Sequence, residues 1–296
     1  MAAQVLADEI DILVDLSGHT RGGRLPVFAS RPAPVQITYL GYPASTGLKQ
    51  IDYRITDPWS DPPNLTENFH AEKLLRLNEG FLCYRPPEDA PEIGPLPLLK
   101  SGHITFASFN NLAKLTPRMI KNWAKILRSV RGSQLRLKAK ALGDQMTRTR
   151  IIRAFEKQGI EEERLKLMPW IADSSPLVAY QGVDIGLDTY PYHGTTTTME
   201  ALWMGVPVVT LAGNWHASRV GISILARAKM DDLIATTPSN YVKIAATLAN
   251  SPDAIEGFRQ RLRGLVVAGG LTNGARFTKE LEKAYRWSWQ NWVTNE

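Results

Sequence analysis

Residues 184–210 read DIGLDTYPYHGTTTTMEALWMGVPVVT. An apolar stretch of strand character ends at Asp188, and a turn holding Pro191 and Gly194 follows. Four consecutive threonines, Thr195 to Thr198, then open an apolar helix that Gly205 ends before the next strand. Backbone N–H groups at a helix start lack intrahelical partners and carry positive partial charge. With threonine hydroxyls beside them, Gly194, Thr195, Thr196 and Thr197 outline a site for a phosphate or diphosphate that needs no metal. The plainer reading is that one threonine caps the helix and the others pack. Glu200 lies about one turn further on, where a carboxylate can accept hydrogen bonds from ribose hydroxyls or simply complement the helix dipole.

Upstream, SFNNLAKLTP at 108–117 runs from a strand into a loop with Asn110, Asn111 and Lys114, then into Thr116 as N-cap and Pro117 as first helical residue. The loop puts two amides and an ammonium at the carboxyl end of a strand, where a lysine can neutralise a diphosphate leaving group. An ordinary surface loop is the alternative. The helix that follows carries Ile120, Trp123, Ile126, Leu127 and Val130 on one stripe. A period-2 strand around Leu135, Leu137 and Ala139, a helix through Ile151, Ile152 and Phe155, and strands RLKLMP, VDIGLD and VPVVTLA complete the series. Such alternation predicts an α/β fold with a parallel sheet and a ligand beyond the carboxyl ends of the strands.

Residues 85–99, RPPEDAPEIGPLPLL, hold five prolines without a clear period and read as a linker of polyproline character. This divides the chain into a domain at 1–84, the linker at 85–99, and a second domain at 100–296 that includes the carboxyl-terminal helix. Before the linker, DILVDL, VQITYL and YRITD are strand candidates, too few for a full α/β domain, so the first domain reads as truncated at its amino end with DILVDL as an edge strand. LSGHTRGGR at 16–24 and RPAPVQITYLGYPASTG at 31–47 carry glycine-rich turns after strands, and His19 is the histidine beside such a turn. A loop histidine can also be incidental. No repeat of 20–50 residues is present.

Composition narrows the classes further. The length of 296 residues suits about two domains, and 44% hydrophobic with 22% charged residues is ordinary for a globular chain. No apolar run has the length of a membrane span, and Asp8, Glu9, Asp11 and Asp15 stand where a secretory signal would be basic and then apolar. A cytoplasmic location is expected. A single cysteine, Cys83, forms no internal disulfide, and no C-x-x-C or H-E-x-x-H pattern suggests a metal site. The net charge of +6 is local, because residues 101–160 hold 13 basic and 2 acidic residues. Few aromatics accompany that charge and at least two of them lie on apolar helix stripes, so a solvated helix face or attraction of a phosphorylated small molecule fits better than nucleic acid. The absence of G-x-G-x-x-G, P-loop, G-x-S-x-G and D-x-D patterns removes support from dehydrogenase, kinase and hydrolase readings.

Taken together, DILVDLSGHT, RPAPVQITYLGYP, Asp52–Asp57, FNNLAK, the LDT to PVVT block and the final LEKAYRWSWQNW resemble the catalytic region of the O-linked N-acetylglucosamine transferase family, with its SPINDLY-type relatives, in a bacterial form. The resemblance implies a GT-B architecture of two Rossmann-like domains facing across a cleft, a partial acceptor-side catalytic domain at 1–84 and a nucleotide-sugar-binding domain at 100–296. It implies that Lys114 contacts the pyrophosphate with Asn111 nearby, that Gly194, Thr195, Thr196 and Thr197 bind phosphates, that Glu200 holds the ribose, and that Gly41, Tyr42 and Pro43 lie on the sugar and acceptor side. The implied chemistry is inverting transfer of N-acetylglucosamine from UDP-N-acetylglucosamine to Ser or Thr hydroxyls of a protein, with no metal or other cofactor. Alternatives are fucose transfer from GDP-fucose, a nucleotide-sugar-binding module without catalysis, or a UDP-sugar epimerase.

Animal members have His where this chain has Thr195 and Asp where it has Glu200, and a histidine near the uracil in relatives is replaced by Pro176. The family's tetratricopeptide repeats and the first half of its amino-terminal catalytic domain would precede Asp11. The chain therefore reads as a fragment or shortened product, expected to bind nucleotide and to transfer sugar poorly or not at all, with His19 the one local candidate for acid-base work.

Overall fold

Every strand pairs in parallel with its neighbours, in two separate sheets. The computed structural model describes residues 1–170 and 175–295. The fold is α/β, as the alternation of strand and helix patterns predicts.

One compact unit comprises Met1–Cys83, Asn214–Arg219 and Thr272–Glu296. Its sheet runs β1 (Ile12–Asp15), β2 (Val35–Thr38), β3 (Tyr53–Thr56) and β4 (Lys73–Arg76), in that order. Every residue of β2 and β3 is buried, whereas β4 is buried only in part and carries no clear alternation, which is why the sequence does not mark it. β1 is an outer strand, as expected of DILVDL. The carboxyl-terminal helix, Gly274–Asn295, packs here and not with the second domain, to which the sequence reading assigned it. The reason is aromatic pairing: Phe277 stacks on Tyr39, Trp287 meets the Tyr53 ring edge-on at 5.6 Å, and Asn291 Nδ2 donates to the Tyr53 hydroxyl at 2.8 Å.

The other unit comprises Tyr84–Gly213 and Val220–Leu271. Its strands are β5 (Thr105–Ser108), β6 (Gln134–Lys138), β7 (Leu165–Met168), β8 (Ile185–Leu187), β9 (Val208–Leu211) and β10 (Ile234–Ala235). Their order in the sheet is β7-β6-β5-β8-β9-β10. Counted within the unit this is 3-2-1-4-5-6, the doubly wound order, and it reverses between β5 and β8. Thr116 accepts from Met119 N at 3.2 Å and starts the helix Pro117–Ser129, which buries Trp123, Ile126 and Leu127. Asp144 caps Gln145–Glu156 through Thr147 N at 2.7 Å.

The proline-rich stretch after Tyr84 differs from a free linker. Tyr84 N donates to the Leu271 carbonyl at 2.7 Å, and Arg259 and Arg263 of the helix Pro252–Ala268 donate to the carbonyls of Gly94 and Pro91 at 2.7 and 2.8 Å. Extended proline-rich backbone leaves its carbonyls unpaired, and two arginines on one helix supply the donors. Among the described residues no helix is long and apolar enough to cross a membrane.

Candidate functional site

β5 and β8 pair directly, Phe106 opposite Ile185 and Ala107 opposite Gly186, so the loops leaving their carboxyl ends start side by side. β8 runs into the buried Asp188. Its Oδ1 accepts from Thr189 N at 2.8 Å and Gly194 N at 2.7 Å, and its Oδ2 accepts from the Thr210 hydroxyl at 2.8 Å. The carboxylate thereby closes the turn on itself. His193 is also buried: Gly221 N donates to its Nδ1 at 3.0 Å, so the Nε2 proton faces the Leu211 carbonyl at 2.9 Å.

Gly194 follows, and its place forbids a side chain. A Cβ there would stand 2.6 Å from Thr197 Oγ1, 2.7 Å from Thr198 Oγ1 and 3.2 Å from Asn110 Nδ2. The helix Thr196–Trp203 begins behind Thr195, which makes no side-chain capping bond. The plainer reading, one threonine capping and three packing, is therefore not what the structure shows. Thr198 packs inward, Thr196 is exposed, and Thr195 and Thr197 are half-buried at the helix start. Gly205, at φ +72°, terminates this segment as the sequence suggests.

Lys114 reaches the same place from the β5 loop. Its Nζ donates to the His193 carbonyl at 2.7 Å and to Asn110 Oδ1 at 3.2 Å, and lies 3.9 Å from the centre of the Tyr192 ring. Burial lowers the affinity of this ammonium for its proton, and the Asp188 charge opposes that effect. Thr197 Oγ1 donates to the same Asn110 oxygen at 3.2 Å. Asn110 thus ties the lysine to the threonine helix, whereas Asn111 is exposed and uses its Oδ1 to accept from Ala113 N. The cradle offers an ammonium, hydroxyls and helix-end N–H groups to an anion.

One helical turn on, Glu200 is half-buried. The Tyr180 hydroxyl, from the short helix Pro176–Gly182, donates to the Thr197 carbonyl at 2.9 Å and approaches Glu200 Oε2 at 3.4 Å. Burial raises the Glu200 carboxyl above its ordinary value, while the Tyr180 hydrogen bond and the Lys138 charge oppose the shift. Pro176 serves as the first residue of that short helix. The basic face of Gln145–Glu156 bears a separate depression of about 650 Å³ with Arg150, Arg153 and Lys157 on it.

In the first unit the glycine-rich loops pack on each other. A Cβ on Gly41 would strike the Leu16 carbonyl and one on Gly18 the Tyr42 side chain, so only glycine allows this approach. His19 stands edge-on to Tyr42 at 5.2 Å, and its Nε2 donates to the Thr46 carbonyl at 2.8 Å, leaving Nδ1 as the acceptor of the neutral ring. Buried Arg54 donates to the carbonyls of Tyr42 and Ala44 at 2.8 and 2.7 Å and so holds the Gly41–Pro43 loop from below.

His19 is not the sole histidine of interest in this unit. Buried Asp61 accepts from the Thr56 hydroxyl and from His216 Nδ1 at 2.6 Å, and lies 3.3 Å from His70 Nε2. Burial alone would raise Asp61, but the hydrogen bonds from His216, His70 and Thr56 outweigh it and hold the carboxyl well below the usual range. Burial and the Arg54 charge push His216 down, against Asp61. Asp61 and His216 are 155 residues apart, and no local pattern announces the pair. Among the described residues no group of three or more His, Cys, Asp or Glu is placed to hold a metal ion.

Comparison with known proteins identifies the family and the fold. The model of glycosyl transferase family 41 matches residues 1–84 and 97–281. The chain is 45% identical over 297 residues to a probable UDP-N-acetylglucosamine–peptide N-acetylglucosaminyltransferase SPINDLY of Hordeum vulgare, covering 100% of this chain and 31% of that protein. The Arabidopsis thaliana protein of the same name is 44% identical, with 100% of this chain and 32% of the relative covered. The chain thus spans about a third of the length of the curated relatives it matches. A Thermobaculum terrenum O-GlcNAc transferase, mutant K341M, superposes with a TM-score of 0.94 at 39% identity, over 99% of this chain and 56% of that one. These structural neighbours are GT-B glycosyltransferases, and the present fold is of that class. With the family model covering both glycine-rich loops and the threonine cradle, the chain belongs to glycosyl transferase family 41.

Proposed function

We propose that this chain carries the nucleotide-sugar site of a protein O-glycosyltransferase that moves N-acetylglucosamine from UDP-N-acetylglucosamine to Ser or Thr hydroxyls, with inversion at the anomeric carbon. The observation that carries the reading is the meeting of Lys114 with the Gly194–Thr197 helix start at the reversal point of the sheet. Departure of UDP leaves charge on the diphosphate. A desolvated ammonium, threonine hydroxyls and fixed N–H groups stabilise that charge as it develops, and their geometry is already set by Asp188 and Asn110.

Glu200, with Tyr180 behind it, is proposed to hold the ribose, and no metal cofactor enters the proposal. The loop at Gly41, Tyr42 and Pro43 is proposed for the sugar and acceptor side, with His19 Nδ1 as the proton acceptor. The relatives' names support a UDP-N-acetylglucosamine donor and a peptide acceptor. The test is incubation of the chain with UDP-N-acetylglucosamine and a Ser/Thr peptide. Binding of UDP is the expected result, and any N-acetylhexosamine found on the peptide should be β-linked and matched by equimolar UDP. Sugar interconversion without peptide, or no binding of UDP to the chain, would overturn the reading.

A further inference from the structure

The helices Pro117–Ser129 and Gln145–Glu156 join β5 to β6 and β6 to β7. Both crossovers step the same way across the sheet, so right-handed connections lay the two helices on one face of it. Each buries one stripe and turns a basic one outward. On the first helix Met119, Trp123, Ile126 and Leu127 are buried, while Arg118, Lys121, Lys125 and Arg128 are exposed at spacings of three and four, which makes a single line. On the second, Ile151 and Phe155 are buried, and Met146, Arg150, Arg153 and Lys157 form the outward line. This second line borders the depression of about 650 Å³.

Two features set this face apart from an ordinary solvated surface. Like charges three or four residues apart weaken a helix, and mixing the signs relieves them. Here the first helix holds no Asp or Glu and the second only Glu156, although the chain outside residues 101–160 is net negative. Among the described residues none of these cations makes an ion pair. The line also starts at the proposed site: the Arg118 guanidinium lies 5.1 Å from the centre of the Tyr190 ring, in the turn that leads to Gly194.

We propose that this face docks an acidic segment of the acceptor polypeptide, so that the enzyme selects proteins carrying a run of Asp or Glu near the acceptor Ser or Thr. The inference rests on the protein O-glycosyltransferase reading. The 13 residues of the first helix span about 20 Å, the reach of about six residues of extended chain. The make-up of the face favours a polypeptide over other polyanions. Single-stranded nucleic acid binds where bases can stack on aromatic side chains, and Trp123 and Phe155, the aromatics of these two helices, are buried. A helix lying on a membrane presents an apolar face to it, and Met146 is the one apolar residue in the two outward lines.

The experiment is fluorescence anisotropy of the 296-residue chain with two labelled serine peptides that differ only in a flanking run of about six residues, Glu in one and Gln in the other. The Glu peptide is expected to bind roughly tenfold or more tighter, and to weaken as salt rises from about 50 to about 200 mM. Two double reversals then locate the surface. Lys125→Glu with Arg153→Glu should weaken the Glu peptide by roughly tenfold. Arg261→Glu with Lys279→Glu, an equal change of net charge at exposed positions elsewhere, should leave it within about twofold. Both double variants should bind UDP within about twofold of the wild type by calorimetry, which also shows that they fold. Equal binding of the two peptides, or equal loss in the two double variants, would overturn the inference and leave the nucleotide reading intact. Tighter binding to phosphatidylserine vesicles or to oligouridylate than to the Glu peptide would do the same. Failure of the intact chain to bind UDP would remove the glycosyltransferase reading on which the inference rests. If a double variant does not fold, the comparison of the two peptides and the salt dependence on the intact chain decide.

Discussion

Gly194→Ala tests whether the threonine cradle is a built site or only a helix start. The added methyl would lie 2.6 Å from Thr197 Oγ1 and 2.7 Å from Thr198 Oγ1, both well inside normal carbon–oxygen contact. Neither oxygen can yield cheaply. Thr198 is 3% exposed, and Thr197 Oγ1 is engaged with Asn110. Gly194 cannot back away either, because its N–H is held by Asp188 at 2.7 Å. Forcing one extra carbon into such packing costs about 1–3 kcal/mol. For a unit of this size that is a fall in melting temperature of roughly 2–12 °C. The first turn of the helix must shift as well, so the donors no longer converge on one point. Losing one charge-assisted contact to the diphosphate then weakens UDP binding by roughly 10- to 150-fold. Differential scanning fluorimetry and calorimetry on one preparation read both effects. Adding Thr198→Ala removes one of the clashing oxygens and should recover part of the stability. A Gly194→Ala protein that melts with the wild type and binds UDP within twofold of it would refute the reasoning.

Lys114→Ala should lower UDP affinity by roughly 10- to 150-fold, whereas EDTA should leave the affinity of the intact chain within about twofold; a metal-restored loss would count against the cradle as sole neutraliser of the diphosphate. The Asp61 cluster predicts acid sensitivity. Asp61 is held below its unfolded value, so its contribution is present above the ordinary carboxylate pKa of about 3.9 and is lost as pH falls through the lower folded value. His216 is also pushed down, so below its unfolded value of about 6.5 the unfolded chain binds the proton first and stability falls with acidification. Melting temperature should therefore drop from pH 7 to 5, and His216→Gln should remove part of that slope; a variant with an unchanged slope would show that the pair does not set it.

Most of the second unit was legible because its strands are short apolar runs between amphipathic helices with ordinary caps. Thr116 followed by Pro117 located a helix start to the residue, and the structure places that start there. What escaped has physical causes. β10 is 2 residues long and β4 is only partly buried, so neither carries enough period to stand out. The carboxyl-terminal helix is obvious as a helix, but its aromatic partners Tyr39 and Tyr53 lie more than 200 residues earlier. The prolines of 86–97 announce extended backbone correctly and conceal where it packs, since the arginines that pair with its carbonyls sit on a helix far downstream.

The site divides along the same line between local and distant information. Thr195, Thr196 and Thr197 could be read as an anion-binding helix start from one stretch of chain, and Lys114 as a strand-end cation from another. That the two belong together depends on a single fact of topology, the pairing of β5 with β8, which brings Lys114 to His193 across 79 residues. Asn110 illustrates the consequence. In sequence it is one of two equivalent amides, and the resemblance favoured Asn111; only the register of Ala107 against Gly186 puts Asn110 between the lysine and Thr197. A one-residue slip of β8 would turn its alternate side chains to the opposite face. Asp188 would then release Gly194 and Thr210, and the cradle would lose the carboxylate that shapes its turn. The buried strands Thr105–Ser108 and Ile185–Leu187 forbid such a slip, so the packing that makes the fold is also what aligns the groups of the proposed nucleotide site.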